Sequence, residues 1–260
     1  MLERSKARAI TERDVSEANR RVYNEKCVES YDANPSLFGE EQTRRLHRIL
    51  TEIRATCGGS HFLDVGCGTG NVLRVAQAHF EECVGLDQAE VMLARVAPQL
   101  PNVKLVAAQA QKLPFPAESF DAVSMYALLH HLYDPLTALE EAARVLRPGG
   151  VLYTDHDPNL NFGRFYQLWC RLVQGRRYGF GTELEDIAEY HHTVTGGLDP
   201  QRLARRLSEL GFRQIQVQHR HPTRDNFEGL RGLVLRAMKR GSRIFPAKSL
   251  YTHFVIMAQK

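Results

Sequence analysis

The chain has 260 residues, of which 43% are hydrophobic and 25% are charged, and its formal net charge is +4. Such a chain can bury one sizeable core, and its composition argues against a disordered protein. No apolar run is long enough to span a membrane, and the charged first 21 residues lack the apolar stretch of a signal peptide. The five cysteines are scattered and never spaced as C-x-x-C, which predicts reduced thiols, a cytoplasmic location and no zinc site.

Helices are predicted first, from about Asp14 to Ile53, with a break near Asn34-Pro35. We expect residues 1–54 to form a helical cap. The rest of the chain, residues 55–260, is long enough for one α/β domain with insertions.

A strand and a glycine-rich turn follow, in the sequence His61-Phe-Leu-Asp-Val-Gly-Cys-Gly-Thr-Gly70, and a helix is predicted from Asn71 to Phe80. This succession opens the nucleotide-binding α/β folds, because glycine lets the backbone lie against a ligand and the helix start offers free N–H groups. The glycines are spaced as G-x-G-x-G, whereas the dinucleotide fingerprint would need a glycine in place of Asn71. Asp64 precedes the first glycine by two residues and suits an ammonium or sulfonium ligand better than a pyrophosphate.

An acidic residue closes the second predicted strand, which runs from Glu82 to Asp87. Asp87 lies 21 residues past Gly66 (87 − 66). In nucleotide-binding α/β folds, a carboxylate about 20 residues beyond the glycine turn accepts hydrogen bonds from the ribose hydroxyls. Asp87 is therefore the predicted ribose contact.

The remaining predicted elements alternate between helices and strands, as in a doubly wound sheet. The strands are Val103–Ala107, Ser119–Tyr126, Val151–Thr154, Gln214–Gln218 and His253–Gln259, and the helices are Gln88–Ala97, Pro135–Val145 and Pro200–Leu210. Pro148-Gly149-Gly150 and Gly211 are the stop signals that follow the last two helices.

Four stretches in this order resemble motifs of the class I S-adenosylmethionine-dependent methyltransferases, especially small-molecule enzymes of the ubiquinone and menaquinone methylase kind. They are Asp64–Gly70, Ala108–Phe115, Ala127–Leu132 and Leu146–Gly150, and the resemblance is continuous from about Phe62 to Asp157. The family implies a Rossmann-like, doubly wound sheet of seven strands, mostly parallel with an antiparallel last strand. It also implies S-adenosylmethionine as the cofactor, and methyl transfer from it requires no metal.

The resemblance also implies a set of cofactor-binding residues: Asp64, Gly66, Cys67, Gly68, Gly70, Asp87, Gln88, Met92, Gln109, Ala110, Gln111 and Met125. Gln109 departs from the family, because relatives carry there an Asp that bonds the adenine amino group. Glutamine can still accept through its carbonyl oxygen, although an uncharged acceptor gives a weaker contact. Tyr31-Asp32 resembles a Tyr-Asp pair that covers the cofactor in many small-molecule methyltransferases. The alternative is that Tyr23 and Tyr31 only pack on the domain.

The catalytic candidates include residues at the carboxyl ends of strands four and five, where open α/β sheets bind ligands. A general base is needed only if the acceptor must lose a proton. His131 is the first candidate because histidine titrates near neutrality, and His130, Asp155 and Tyr31 are the others. For either histidine, a purely structural role is the alternative. No metal site is predicted at Asp155-His156-Asp157, because adjacent residues on an extended chain point to opposite faces.

Two helical insertions, at about 158–195 and 220–250, are predicted to form a lid. The first carries an aromatic stretch with the single tryptophan, Trp169. The second is a basic amphipathic stretch, 220–248, with Arg220, Arg224, Arg231, Arg236, Lys239, Arg240, Arg243 and Lys248. An ordinary docked helix and a weak membrane-surface contact both explain such a stretch.

The predicted function is methyl transfer to a small-molecule acceptor, and the aromatic and basic insertions favour an amphiphilic or acidic one, such as a quinone, a lipid or an aromatic acid. The alternatives are a methyltransferase acting on RNA or another macromolecule, and a non-catalytic S-adenosylmethionine-binding module. No nucleic-acid partner is expected, because the fourth strand ends in Ser-Met-Tyr-Ala, residues 124–127. Methylases that act on amino groups of nucleic acids carry an Asn/Asp-Pro-Pro-Tyr box at that place.

Overall fold

The computed structural model describes residues 9–26, 31–33, 35–164, 183–221, 236, 239–240 and 250–260. Seven strands form one sheet in the order β3-β2-β1-β4-β5-β7-β6. They are β1 His61–Val65, β2 Glu82–Asp87, β3 Lys104–Ala107, β4 Phe120–Tyr126, β5 Leu146–Pro158, β6 Arg213–Arg220 and β7 His253–Gln259. Strands β1 to β5 pair in parallel, whereas β7 is antiparallel to both β5 and β6. The predicted doubly wound sheet with an antiparallel last strand is confirmed.

The sheet reverses its strand order between β1 and β4, and this reversal positions the site. Every residue of β4 is buried, as expected for a parallel strand covered by helices on both faces. Because the crossovers from β1 and from β4 run in opposite directions, a crevice opens beyond the carboxyl ends of these two strands. The loops that follow β1, β2 and β4, residues 66–70, 88–89 and 127–128, meet at this crevice.

Strand β5 is longer than the sequence predicted, and the expected bounds Val151–Thr154 are wrong. Its pairing with β4 already begins at Leu146, opposite Phe120, before the turn at Gly149 and Gly150. Beyond Thr154 it continues through a bulge to Pro158, which pairs with His253 of β7. His156 lies in the bulge with a left-handed φ of 64°. Cross-strand pairing therefore extends the strand past its apolar run.

The helices are α1 Glu12–Arg21, α2 Pro35–Phe38, α3 Glu40–Cys57, α4 Asn71–Ala76, α5 Glu90–Val96, α6 Pro135–Val145, α7 Leu184–Ala188, α8 Tyr190–Thr193 and α9 Pro200–Glu209. A π-helical turn, Val22–Lys26, extends α1, and short 3₁₀ turns occur at Tyr31–Ala33 and Leu129–His131. Helix α4 ends four residues before the predicted Phe80 (80 − 76), because its last turn tightens into i→i+3 bonds at Ala78 and His79. Helix α6 has the predicted bounds.

Helix α3 belongs to the core of the sheet domain. Its Leu46, Leu50 and Ile53 are fully buried and pack in one cluster with Phe62 of β1 and Tyr153 of β5. The expected boundary at residue 54 falls inside this helix. Helix α1 is different, since its Ala18 and the adjoining Val22 of the π-helical turn form only a small cluster with Ala188 of α7.

Among the described residues, no helix is both long and apolar enough to cross a membrane. Two predicted features lie largely outside the described residues. They are the aromatic stretch around Trp169, within 165–182, and most of the basic stretch 220–248.

Candidate active site

A cavity with about 70 Å³ of room for the centres of water-sized molecules lies at the crevice beyond β1, β2 and β4. This is the place where open α/β sheets bind ligands. One side is formed by the glycine-rich loop and the end of β2, with Gly66, Gly68 and Asp87. Helix α1 and its π-helical extension close the other side through Ser16 and Asn19. The N-terminal helix is therefore the cover of the cavity.

The glycine-rich loop is shaped by left-handed backbone and by the carboxylate of Asp87. Gly68 has a φ of 51°, and a Cβ there would stand 3.3 Å from the hydroxyl of Tyr31. The backbone N–H of Gly68 donates to Asp87 Oδ2 at 2.9 Å, and the N–H of Ala89 donates to Oδ1 at 2.8 Å. Burial raises the pKa of Asp87, and these two hydrogen bonds oppose the shift. Asp87 thus fixes the loop in the conformation that borders the cavity.

Asp64 lies behind the loop rather than on the cavity. Its side chain is only 1% exposed and accepts a short hydrogen bond from Ser124 Oγ of β4. Burial raises the pKa of the Asp64 carboxyl to about 7, although the Ser124 bond works in the opposite direction. Any influence of Asp64 on a ligand acts through the loop it supports.

The cavity brings together seven of the predicted cofactor residues: Gly66, Gly68, Asp87, Gln88, Met92, Ala110 and Gln111. Asp64, Cys67, Gly70, Gln109 and Met125 are not part of its lining. Met125 is fully buried inside the sheet, and Cys67 is buried with its thiol pKa raised well above the usual value by burial. Gln109 is exposed at the rim, where its side-chain amide donates to Ser16 Oγ of α1 at 3.2 Å.

Tyr31 and Asp32 hold the N-terminal segment against the glycine-rich loop. Asp32 Oδ1 accepts a short hydrogen bond from Thr69 Oγ1, and Tyr31 lines the cavity beside Gly68. Burial raises the pKa of the Tyr31 hydroxyl, and the nearby carboxylate of Asp87 raises it further. Tyr31 is therefore a neutral aromatic wall of the cavity at physiological pH.

His131 lies on the cavity, whereas His130 lies beneath it. His131 Nδ1 donates to the carbonyl of Ala188 at 2.9 Å, and its Nε2 is 3.3 Å from the hydroxyl of Tyr23. His130 Nδ1 and the His130 backbone N–H both donate to Asp157 Oδ1, at 2.9 and 3.0 Å. Burial, followed by the neighbouring His131, lowers the pKa of His130 well below its usual value. These contacts indicate a structural role for His130, whereas His131 lies at the cavity.

Asp155 was expected as a catalytic candidate, and its position does not fit a general base. Its carboxylate is fully buried away from the cavity lining and accepts from Arg45, Arg220 and the Tyr153 hydroxyl. Burial alone would raise its pKa, but His156 and the two guanidiniums together hold it well below the usual value. Burial also lowers the pKa of His156, which favours its neutral form. The guanidiniums of Arg45 and Arg220 therefore supply the positive charge beside Asp155. Such a carboxylate has little tendency to take up a proton.

Similarity to known proteins identifies the family of this chain. The chain is 32% identical to a demethylmenaquinone methyltransferase of Bacillus licheniformis over 210 residues, which cover 76% of this chain and 88% of that protein. The chain belongs to the class I S-adenosylmethionine-dependent methyltransferases. Its residues 63–154 also match the family model of a methyltransferase domain. S-adenosylmethionine is therefore the cofactor of this methyltransferase, and the sequence-based prediction of the family is confirmed.

Solved structures agree with the fold of a methyltransferase. One is an S-adenosylmethionine-dependent methyltransferase from Archaeoglobus fulgidus, 18% identical, with a TM-score of 0.57 over 89% of this chain and 100% of that one. Another is phosphoethanolamine N-methyltransferase 2 of Haemonchus contortus in complex with S-adenosylmethionine. It is 18% identical, with a TM-score of 0.62 over 96% of this chain and 60% of that one. At these identities the likeness concerns the fold alone.

Several residues of the methyltransferase site were not predicted as site residues from the sequence. Asn19 and Ser16 of α1 and Tyr133 after the histidines line the cavity, and Tyr23 does so where packing alone was an equal alternative. Glu189, between α7 and α8, contacts both Tyr23 and His130. No motif marks these positions, because they become neighbours only when α1 and α7 dock over the sheet.

Proposed function

We propose that this methyltransferase transfers the methyl group of S-adenosylmethionine to a small amphiphilic acceptor with an aromatic hydroxyl, of the quinol type. The observation that carries the proposal is the shape of the one cavity described above. Gly66, Gly68 and Asp87 border one end, and Tyr23 and His131 border the other. A cofactor on the glycine loop would direct its methyl group toward an acceptor held between these two ends.

The roles of the cofactor-side residues follow from their contacts. The left-handed Gly68 and its neighbour Gly66 let the backbone approach the ligand, and Asp87 is placed to accept hydrogen bonds from ribose hydroxyls. Tyr31 covers the same region from the N-terminal segment. Methyl transfer is an in-line displacement, so holding the acceptor atom and the methyl carbon in line supplies much of the rate.

The acceptor side favours an aromatic molecule with a polar end. Tyr23, Tyr31 and Tyr133 line the cavity together with Leu128 and Leu132, which provides ring and aliphatic contacts for an apolar body. The hydroxyl of Tyr23, which is in contact with the imidazole of His131, offers a hydrogen bond to a hydroxyl on that body. The Bacillus relative is named as acting on demethylmenaquinone, which supports an acceptor of this class.

The test is a product analysis with labelled cofactor. Purified protein is incubated with S-adenosylmethionine that carries a trideuterated methyl group, in parallel with chemically reduced demethylmenaquinone, phosphatidylethanolamine vesicles and an aromatic hydroxy acid. We expect mass spectrometry to find the labelled methyl group in the quinol product. Labelling of a different acceptor would replace the quinol proposal, and binding of the cofactor without any labelled product would favour a non-catalytic module.

A membrane-surface contact through the basic stretch 220–248 is a second part of this proposal, because an amphiphilic acceptor resides in lipid. Of the described residues in it, Arg236 and Arg240 are exposed, whereas Arg220 is bound to Asp155 and is not available to lipid. Binding to vesicles with and without anionic lipid, compared between the parent and a variant with Arg236, Lys239 and Arg240 replaced by glutamine, tests it. Equal binding by both proteins would assign these residues to an ordinary solvated face.

A further inference from the structure

Tyr23 lies between a histidine and a carboxylate at the acceptor end of the cavity. Its hydroxyl is 3.3 Å from His131 Nε2 and 3.2 Å from Glu189 Oε1. The three side chains come from the π-helical turn after α1, the 3₁₀ turn after β4, and the junction of α7 and α8. We call this set the Tyr23–His131–Glu189 triad.

The number of available hydrogens shows in which protonation state every donor and acceptor of the triad has a partner. The carbonyl of Ala188 can only accept, so Nδ1 of His131 carries a hydrogen. In the neutral imidazole, Nε2 is then a bare acceptor, and the single hydrogen of the Tyr23 hydroxyl faces two acceptors, Nε2 and the Glu189 carboxylate. One added proton resolves this competition, because Nε2–H then donates to the Tyr23 oxygen while the Tyr23 hydroxyl donates to Glu189.

We propose that Tyr23 is a catalytic residue that takes the proton of the acceptor hydroxyl while it passes its own proton to His131, with Glu189 as the positioning residue. The proposal rests on the proposed function, since it requires an acceptor with an ionisable hydroxyl. Tyr23 and His131 both border the cavity, and the Tyr23 hydroxyl lies within hydrogen-bond distance of His131 Nε2. His131 cannot easily take the proton directly, because both of its ring nitrogens already have partners.

The step balances in atoms and charge. The acceptor O–H bond breaks and a new O–H bond forms on Tyr23, as the original Tyr23 O–H bond breaks and an N–H bond forms on His131 Nε2. The electron pair left on the acceptor attacks the methyl carbon, either from oxygen or through the ring from carbon. The S–CH₃ bond breaks with its pair going to sulfur, which loses its positive charge and leaves S-adenosylhomocysteine. After attack from carbon, the ring C–H proton returns to the oxygen, so that the net proton stays on His131.

Glu189 stabilises the triad after the proton has moved to His131. Its carboxylate lies 3.9 Å from His131 Nδ1 and accepts from Tyr23, so that it offsets the charge of the imidazolium. The other titratable groups near His131 are His130, whose ring centroid is 4.0 Å away, and Asp87 across the cavity. Asp87 keeps its backbone hydrogen bonds to Gly68 and Ala89 in every variant below, whereas changing Glu189 also alters its 3.5 Å contact with His130 Nε2.

The same cluster also contains ligand-type atoms of His130, His131 and Glu189 within 4.8 Å of one another. His131 Nε2 and the carboxylate of Glu189 both reach the Tyr23 hydroxyl at hydrogen-bond distance. These two contacts favour a proton relay over a metal centre, and the experiment below distinguishes the two.

The decisive comparison is Tyr23→Phe against Tyr190→Phe. Tyr190 packs on Tyr133 with ring centroids 5.2 Å apart and is not part of the cavity lining. With reduced demethylmenaquinone, we expect Tyr23→Phe to lower the single-turnover rate by about 100-fold or more, the usual range for a lost proton-transfer group. Tyr190→Phe should stay within about fivefold of the parent, and both should bind S-adenosylmethionine as the parent does. A Tyr23→Phe rate within fivefold of the parent would overturn the relay, as would turnover lost to a chelator and restored by zinc.

Glu189→Gln and Glu189→Asp test the positioning role. We expect the acid limb of the pH–rate profile to move to lower pH in Glu189→Gln and to return toward the parent position in Glu189→Asp. The nitrogen-15 resonances of the His131 ring, recorded without any acceptor, should also change in Glu189→Gln. Unchanged resonances overturn the relay even if turnover is normal. Changed resonances with no turnover on the quinol leave the relay standing and show that the proposed acceptor is wrong.

Discussion

Gly68 combines a left-handed φ of 51° with close contact to the Tyr31 hydroxyl. A side chain at this position is therefore opposed by backbone strain and by lack of space on the cavity side. Gly58, at the end of α3, has a similar φ of 67° but open space around it. Substitutions at Gly58 and Gly68 therefore separate the effect of backbone strain from the effect of filling space at the cavity.

We predict that Gly68→Val abolishes S-adenosylmethionine binding while the protein remains folded. The added side chain would push into Tyr31 and prevent the backbone from approaching the cofactor. Gly58→Val, the matched control, should lose about 1 kcal/mol of stability and keep the parent affinity in calorimetric titration. Equal cofactor affinity in Gly68→Val and the parent would show that the loop is not the cofactor site.

Asp64 is a second residue whose behaviour follows from its surroundings. Its pKa of about 7 in the folded protein lies above the ordinary value of 3.8. The folded state therefore binds the proton more tightly than the unfolded chain. The resulting stability is fully present below about pH 4 and is lost as pH rises toward 7.

We predict that Asp64→Asn matches the parent in thermal stability near pH 4 and exceeds it at pH 8, by a free energy on the order of 1–3 kcal/mol. Asparagine resembles the protonated acid and can still accept from Ser124. Glu81→Gln, at an exposed position, should show no such pH-dependent difference. A variant that is less stable than the parent at pH 8 would mean that the ionised carboxylate is favourable where it lies.

At the scale of elements, α1 is attached to the site by polar contacts more than by apolar burial. Asn19 is 3% exposed, and its side-chain amide donates to the carbonyls of Val15 at 3.0 Å and His131 at 2.8 Å. The hydrogen bond to the His131 carbonyl joins α1 to the 3₁₀ turn that contains this catalytic candidate. Local opening of such a helix costs much less than global unfolding.

We predict that Asn19→Ala loosens α1 without unfolding the sheet domain. Amide hydrogen exchange in residues 12–26 should accelerate by about tenfold or more, because losing a buried hydrogen bond and leaving the His131 carbonyl unpaired costs about 1–3 kcal/mol. Arg20→Ala, at the exposed neighbouring position, should leave exchange unchanged. If Asn19→Ala lowered the protection of β4 and β5 equally, α1 would be part of the cooperative core.

The elements themselves were largely readable from the sequence, and the contacts between them were not. The bounds of α6 and β7 were predicted correctly, because Asp134 caps the helix at Pro135 and the apolar run of β7 is short and continuous. The glycine loop and Asp87 were placed by spacing alone. In contrast, Tyr23 and Glu189 are separated by 166 residues, and no local sequence pattern could predict their contact.

At the scale of the whole molecule, one buried carboxylate connects three distant parts of the chain. Asp155 of β5 accepts from Arg45 of α3 and from Arg220 of β6, while Tyr153 donates to it at 2.6 Å. Removing the charge would leave two largely buried guanidiniums facing each other without a counter-ion. Asp157, two residues on, is equally buried, but burial raises its pKa well above the usual value, which favours its neutral form.

We predict that Asp155→Asn and Asp157→Asn differ sharply in urea unfolding at pH 7. Asp155→Asn should cost about 3–5 kcal/mol, the usual result of breaking a buried ion pair from one side. Asp157→Asn replaces a neutral acid with a neutral amide that can still accept from His130, and should cost less than about 1 kcal/mol. Because the pKa of Asp155 is lowered, its contribution is present above the ordinary value of 3.8, and the difference between parent and Asp155→Asn should persist from pH 7 to about pH 4. Folded Asp155→Asn protein should bind S-adenosylmethionine as the parent does, and a stable variant that had lost only turnover would return Asp155 to the catalytic candidates.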